Sequence, residues 1–157
     1  MENHVLDDAA GLEREVTELV ARNAITELVY RLGVALDDGR FDDLRSIFTE
    51  DSTASTPGGS VEGIDALIAQ ASRNHSRERR NHHVITNVLV DLDGERADVR
   101  ANLVVTFARD AVPYFTLGEV YRFDARRTPD VWRLSRVEST PVWTTGSRDG
   151  AQAQTTS

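Results

Sequence analysis

The sequence predicts an α+β protein in which helices precede a curved, mostly antiparallel sheet. Three observations support this: a long amphipathic stripe before residue 40, apolar β-rich segments after residue 80, and an Asp-Gly turn between two of them. Helices segregated from antiparallel strands are typical of the α+β class. We expect three N-terminal helices packed on one face of the sheet, which encloses a pocket.

The first helix is predicted from Leu12 to Asp38. Apolar residues recur there every three or four positions, as one face of a helix requires, at Leu12, Val16, Leu19, Ile25, Leu28, Leu32 and Leu36. Gly39 follows, and glycine suits the left-handed residue that ends many helices. Shorter apolar patterns predict a second helix over 41–48 and a third over 64–73.

The strands are predicted from β-branched residues and from alternation of apolar and polar positions. Asp93-Gly94 tolerates the positive φ of a tight hairpin turn. It separates a strand that begins near His82 from a return strand over 97–107. After a loop over 108–113, further strands are predicted over 114–123 and 131–143, and a short one over 52–56.

Composition narrows the classes of partner. The formal net charge is −8, which disfavours nucleic acid and anionic membranes as partners. There is no cysteine, so thiolate chemistry and disulfides are excluded. The acidic start lacks the pattern of a secretory signal and no apolar run matches a membrane span, so we expect a cytoplasmic protein. One domain over 12–143 is predicted, between a flexible N-terminal tail (1–11) and a disordered C-terminal tail (144–157).

His82 and His83 open the first long strand. Neighbouring side chains on a strand point to opposite faces, so one of the two histidines is a candidate for chemistry inside a pocket. Both could instead be histidines at the rim. The same alternation argues against a metal site made of two histidines and an aspartate, and we expect no metal and no cofactor. The basic segment 73–80 is interpreted as a solvated helix end and loop, with an anion site as the alternative.

Several segments resemble a known family. They are Leu36 to Leu44 (LDDGRFDDL), Phe48 to Asp51 (FTED), Val61 to Leu67 (VEGIDAL), His83 to Asn87 (HVITN) and Val131 to Leu134 (VWRL). Together they resemble SnoaL-like proteins, which implies the cone of the nuclear transport factor 2-like superfamily over about residues 12–143. Polyketide cyclases, scytalone dehydratase and ketosteroid isomerases share that cone.

The resemblance to scytalone dehydratase implies a catalytic dyad of Asp37 and His83. Such a pair fixes the imidazole tautomer and provides an acid/base for proton transfer beside a carbonyl group. Candidate substrate-binding residues are Tyr30, Asn87, Phe107, Tyr121 and Trp143. Tyr30, Asn87 and Tyr121 could hold an enolate, and Asn87 shares the strand parity of His83.

The function expected is therefore a cofactor-independent lyase, isomerase or cyclase. Its substrate would be a small, hydrophobic, carbonyl-bearing ring, such as a polyketide-type intermediate. The alternative is a non-catalytic module that binds a small ligand or serves in assembly. The resemblance also implies a homodimer formed through the convex face of the sheet, near Asp98, Arg100, Asn102, Val104 and Thr106.

Overall fold

Two α-helices, one 3-10 helix and a six-stranded sheet build the fold. The computed structural model describes residues 2–73 and 75–149. Along the chain the elements are α1 (Glu2–Asp38), a 3-10 helix (Phe41–Ser46), β1 (Phe48–Thr56), β2 (Gly59–Glu62), α2 (Ile64–Ser72), β3 (Arg79–Asp93), β4 (Arg96–Arg109), β5 (Val112–Arg127) and β6 (Trp132–Gly146).

The strands form one open sheet in the order β2-β1-β6-β5-β4-β3. The pairs β3–β4, β4–β5 and β5–β6 are antiparallel, as the predicted hairpins require, whereas β1 lies parallel to β6. The Asp-Gly turn is confirmed, since Asp93 pairs with Arg96 and Gly94 has a φ of 58°. The predicted α+β class with one curved, mostly antiparallel sheet is confirmed.

The helices differ from the prediction in number and order. The second predicted helix is a six-residue 3-10 helix, and α2 follows β1 and β2, so three helices do not precede the sheet. Helix α1 begins at Glu2, so residues 2–11, predicted as a flexible tail, lie within the helix. The apolar stripe begins only at Leu12, which is why the earlier turns carried no helical signal.

The strands are longer than predicted. Strand β2 was not predicted at all, and the expected 108–113 loop is a tight turn in which Asp110 and Ala111 have positive φ values of 51° and 63°. Strand β6 continues to Gly146, so the predicted tail over 144–157 begins inside a strand. Residues 150–157 lie outside the described residues.

The core lies between α1 and the concave face of the sheet. Ile25 and Val29 of α1 are buried there against side chains that include Leu103, Phe123 and Leu134. Complete burial of one such side chain stabilises the fold by about 1.5–3 kcal/mol. No helix in the described part of the chain is long and apolar enough to cross a membrane. The core ends where the sheet diverges from the helices, and a cleft begins there.

Candidate active site

A cleft of about 500 Å³ lies beside the core. Its walls come from α1, β1, α2 and the concave face of the sheet. The apolar part of the lining consists mainly of Leu32, Leu36, Phe48, Leu67, Val105, Phe107, Phe115 and Leu117. A cleft of this volume and character suits a small, largely apolar molecule.

Asp37 and His83 meet at one wall of the cleft. Asp37 lies in the last turn of α1, and its Oδ1 is 2.6 Å from His83 Nδ1. The same carboxylate accepts the main-chain N–H of His83, with N···O distances of 3.0 and 3.1 Å. The His83 side chain is only 5% exposed, against 21% for Asp37. The carboxylate therefore fixes the imidazole and leaves Nε2 as the ring nitrogen that a ligand can reach.

The position of Asp37 is unfavourable for the helix taken alone. Carboxylates destabilise the C-terminal end of a helix, where the helix dipole is negative, and α1 has no basic residue in its last turn. The hydrogen bonds from His83 compensate for this at the tertiary level. Such a local conflict is typical of positions that serve a site.

Glu119 is a second ionisable group in the cleft. It lies on β5 with its carboxyl group buried in the cleft lining. Burial raises the pKa of Glu119 above the usual 4.5, although the hydroxyls of Ser139 and Tyr121 and, when it is protonated, the His83 ring oppose the shift. The carboxyl group therefore titrates closer to neutral pH than an exposed glutamate.

Tyr121 completes the polar end of the cleft. It follows Glu119 by two residues on the same face of β5, and its register partner on β6 is Ser139. Burial and the neighbouring Glu119 carboxylate raise the pKa of Tyr121 well above its usual range. The phenol therefore stays protonated at neutral pH and can donate a hydrogen bond.

The structure places three of the predicted site residues, His83, Phe107 and Tyr121, in the cleft lining, with Asp37 behind His83. Tyr30 lies outside the lining. It is 46% exposed, because the buried face of α1 at this level is formed by its neighbours Leu28, Val29 and Leu32.

Asn87 and Trp143 also lie outside the cleft lining, for a different reason. Asn87 has a φ of 54° at a register shift between Thr86 and Leu89, so its strand parity with His83 does not hold. Trp143 pairs with Gly118 across a register shift in β5 and β6 and is 47% exposed. Extrapolated alternation fails wherever a bulge adds a residue.

The other described histidines lie elsewhere. His82 is exposed on the opposite face of β3 from His83, as alternation predicts. His75 packs edge-on against Phe41, with a ring separation of 5.1 Å. No three His, Asp or Glu side chains among residues 8–73 and 75–149 are grouped as metal ligands.

The fold and the paired Asp37 and His83 define a class of protein: an α+β domain with a cleft between a curved sheet and its helices. Within that class the chain belongs to the SnoaL-like domain family, whose pattern matches residues 17–138. The predicted family is thereby confirmed.

Similar sequences occur in mycobacteria. Uncharacterised proteins of Mycobacterium bovis and Mycobacterium tuberculosis are 32% identical to this chain over 127 residues, which covers 77% of this chain and 85% of theirs. These relatives therefore indicate no substrate.

Solved structures share the fold at low identity. A candidate scytalone dehydratase from Novosphingobium aromaticivorans superposes with a TM-score of 0.76 at 22% identity, covering 85% of this chain and 91% of that chain. A hexachlorocyclohexane dehydrochlorinase from Novosphingobium barchaimii has a TM-score of 0.72 at 16% identity, with 85% and 94% covered. At these identities the comparison shows the fold alone.

Proposed function

We propose that this protein is a cofactor-independent acid/base enzyme, a lyase, isomerase or cyclase, that acts on a small, hydrophobic, carbonyl-bearing ring. The observation that carries the proposal is the 2.6 Å contact between Asp37 and the largely buried His83 at the wall of the cleft. A histidine fixed through Nδ1 has its second nitrogen available as a general base.

In the proposed reaction, His83 Nε2 removes a proton from the carbon next to the carbonyl group. The C–H bonding electrons form the carbon–carbon double bond of the enolate, and the π electrons of the carbonyl group move to its oxygen. Asp37 stabilises the imidazolium that forms. Tyr121, which stays protonated, donates a hydrogen bond to the enolate oxygen. Stabilisation of developing charge by a preorganised donor is a large contribution in enzymes of this kind.

Glu119 is the proposed second proton carrier. Strand β4 lies between β3 and β5, and the β5 residue level with His83 is Leu117, two positions from Glu119. The backbones of His83 and Glu119 are therefore about 12 Å apart at the ordinary strand spacing and rise per residue. Both side chains line the same cleft, which leaves room for a ring between them. Glu119 can then donate or accept the second proton that an isomerisation or elimination requires.

The shared first step allows a test before the substrate is known. Isomerisation, elimination and aldol cyclisation all begin with loss of the proton beside the carbonyl. We therefore propose to follow deuterium incorporation into 2-tetralone and related cyclic ketones in D₂O by NMR. The wild-type protein should accelerate the exchange, and His83→Gln should reduce the acceleration by at least about tenfold.

The neighbouring histidine provides a matched control. His82→Gln alters the same residue type one position away on the exposed face, and it should leave exchange within about twofold of wild type. Equal loss in both variants would contradict the assignment of His83. If ketones bind but exchange no faster than with His83→Gln, the non-catalytic binding module becomes the better description.

A further inference from the structure

The mouth of the cleft carries positive charge that the proposed chemistry does not use. The chain has a net charge of −8, yet five arginines among the described residues line the cleft: Arg73, Arg79, Arg80, Arg109 and Arg148. The acidic side chains of the same lining are Glu119, which is buried, and Asp149, which is exposed. A positively charged cleft attracts anions even when the protein as a whole is negatively charged.

Two of these arginines face each other directly. Arg79 on β3 and Arg109 on β4 are register partners at the open end of the sheet. Like charges in directly opposed positions destabilise a strand pair. Among the described side chains, those of residues 8–73 and 75–149, neither arginine forms an ion pair with a carboxylate. The unfavourable pair is explained if an anion binds between the two guanidinium groups.

Neighbouring groups hold the guanidinium groups at the mouth. Arg109 lies over the Tyr114 ring at 5.3 Å from its centroid, and Arg148 lies over Phe115 at 5.4 Å. Such contacts orient a cation without neutralising its charge. Arg80 donates to the main-chain oxygen of Asp37 at 3.2 Å, which links the mouth to the dyad.

The distance from the mouth to the dyad fits one small molecule. Arg79 and His83 share one face of β3 and are four residues apart, which is about 13 Å of strand. An arginine side chain covers part of that length. The lining between them carries Asn81 of β3 beside the aromatic rings of Phe107 and Phe115. A ligand that spans it needs an anionic end, an apolar middle and a reactive end.

We propose that the substrate is an organic acid: an apolar ring whose carboxylate lies between Arg79 and Arg109 while its carbonyl end reaches His83. A carboxylate matches the planar, forked guanidinium group, which favours it over a neutral polar group. The inference rests on the proposed function in treating the cleft as the substrate site, and it makes segment 73–80 part of an anion site.

Two unreactive probes of the same shape test this charge preference. Calorimetry on the full chain would measure the binding of 2-naphthoate, which is anionic at neutral pH, and of 2-naphthamide, which is neutral. We expect naphthoate to bind at least about tenfold more tightly, and to lose that advantage between about 20 mM and 500 mM NaCl. Equal affinity for the two probes, or no binding of naphthoate, would overturn the proposal.

Double variants test whether Arg79 and Arg109 cause the preference for the anionic probe. Arg79→Gln with Arg109→Gln should weaken naphthoate at least about tenfold and leave naphthamide within about twofold. The matched control, Arg14→Gln with Arg96→Gln, removes the same charge from exposed positions outside the cleft lining and should change neither affinity. An equal loss in the control would overturn the assignment. If the cleft variant does not fold, the salt dependence of wild type decides alone.

The binding test is separable from the proposed reaction. In His83→Gln the preference for naphthoate should persist although proton exchange is lost. If the wild-type protein prefers naphthoate but does not accelerate proton exchange, the proposed enzyme function is contradicted and the anion site is supported. If it accelerates exchange but binds both probes equally, the enzyme function is supported and the anion site is contradicted.

Discussion

Asp37 and His83 are 46 residues apart in sequence and are joined by a hydrogen bond of 2.6 Å between Oδ1 and Nδ1. The contact connects the end of α1 to the first part of β3, where that strand forms the wall of the cleft. Because the carboxylate also accepts the His83 main-chain N–H, both the ring and its backbone are positioned by one side chain. The pair therefore forms a unit whose function can be tested separately from its stability.

Asp37→Asn should reverse the tautomer of the His83 ring and keep the shape of the site. The amide can donate to Nδ1, which then places the ring proton on Nε2, where a general base must be free. We expect proton exchange to fall at least about tenfold with little change in melting temperature. Asp38→Asn is the control, since Asp38 is exposed and pairs with Arg40 at 3.2 Å. Full activity in Asp37→Asn would refute the dyad.

Glu119→Gln should change the pH dependence of stability. Because the folded-state pKa of Glu119 is raised above the usual 4.5, the unfolded chain releases this proton first as the pH rises. The folded state then holds more protons in that window, so Glu119 lowers the free energy of unfolding as the pH rises from 4.5 through the raised pKa. In Glu119→Gln this fall in the free energy of unfolding is absent.

Melting temperatures across the acid to neutral range would measure the effect. Relative to wild type, Glu119→Gln should gain stability progressively above pH 4.5 and show no such gain below it. Glu18→Gln removes a charge from an exposed position of α1 and should show no comparable trend. A difference between Glu119→Gln and wild type that is constant with pH would contradict the raised pKa.

Much of the sheet and the dyad could be predicted from the sequence. The β3 and β4 hairpin follows from alternation and the Asp-Gly turn, and parity separated His83 from His82 correctly. Alternation alone could not supply Asp37, since nothing local links residues 46 positions apart. That pairing came from the resemblance to a known family, which carries tertiary information that periodicity lacks.

Bulges explain the residues that sequence reasoning misplaced. Asn87 and Trp143 both lie at register shifts, and one added residue reverses the face of every later side chain. Asn87 is also one of the described non-glycine residues with positive φ. A bulge depends on how two strands fit each other, so neither strand shows it in its own pattern.

Glu119 and the arginine mouth were missed for another reason. Glu119 shares the inward parity of Leu117 and Tyr121, so a lone carboxylate on an apolar face was an available signal. For the arginines at the mouth of the cleft, the sequence showed only the basic segment 73–80. Arg109 and Arg148 come from distant parts of the chain and meet Arg79 only after the sheet forms.

Gly118→Ala should destabilise the protein through Trp143. A Cβ atom on Gly118 would overlap the Trp143 indole, which lies over this position on the outer face of the sheet. Overpacking of this kind typically costs about 1–3 kcal/mol in the free energy of unfolding. Trp143→Ala in the same chain should recover most of the loss, which denaturant titration of the two single variants and the double variant would show. Additive losses would contradict the contact.

The outer face of the sheet remains the expected dimer surface. Val84, Val104, Gly118 and Trp143 form one row across β3, β4, β5 and β6, and Val84 and Trp143 are 50% and 47% exposed. Exposed apolar rows of this kind are typical of surfaces that associate. A symmetric pair would bury this row against its own copy. We therefore expect light scattering at micromolar concentration to give twice the chain mass of 17.4 kDa.

Val84→Glu should convert that dimer to a monomer, because a carboxylate at the row would lose its hydration in the interface without gaining a partner. Val34→Glu is the matched control. Val34 is 51% exposed on α1, away from the sheet face, so the same substitution there should leave the mass at the dimer value. A wild-type protein with the mass of one chain, or an equal response to both substitutions, would show that the row does not mediate association.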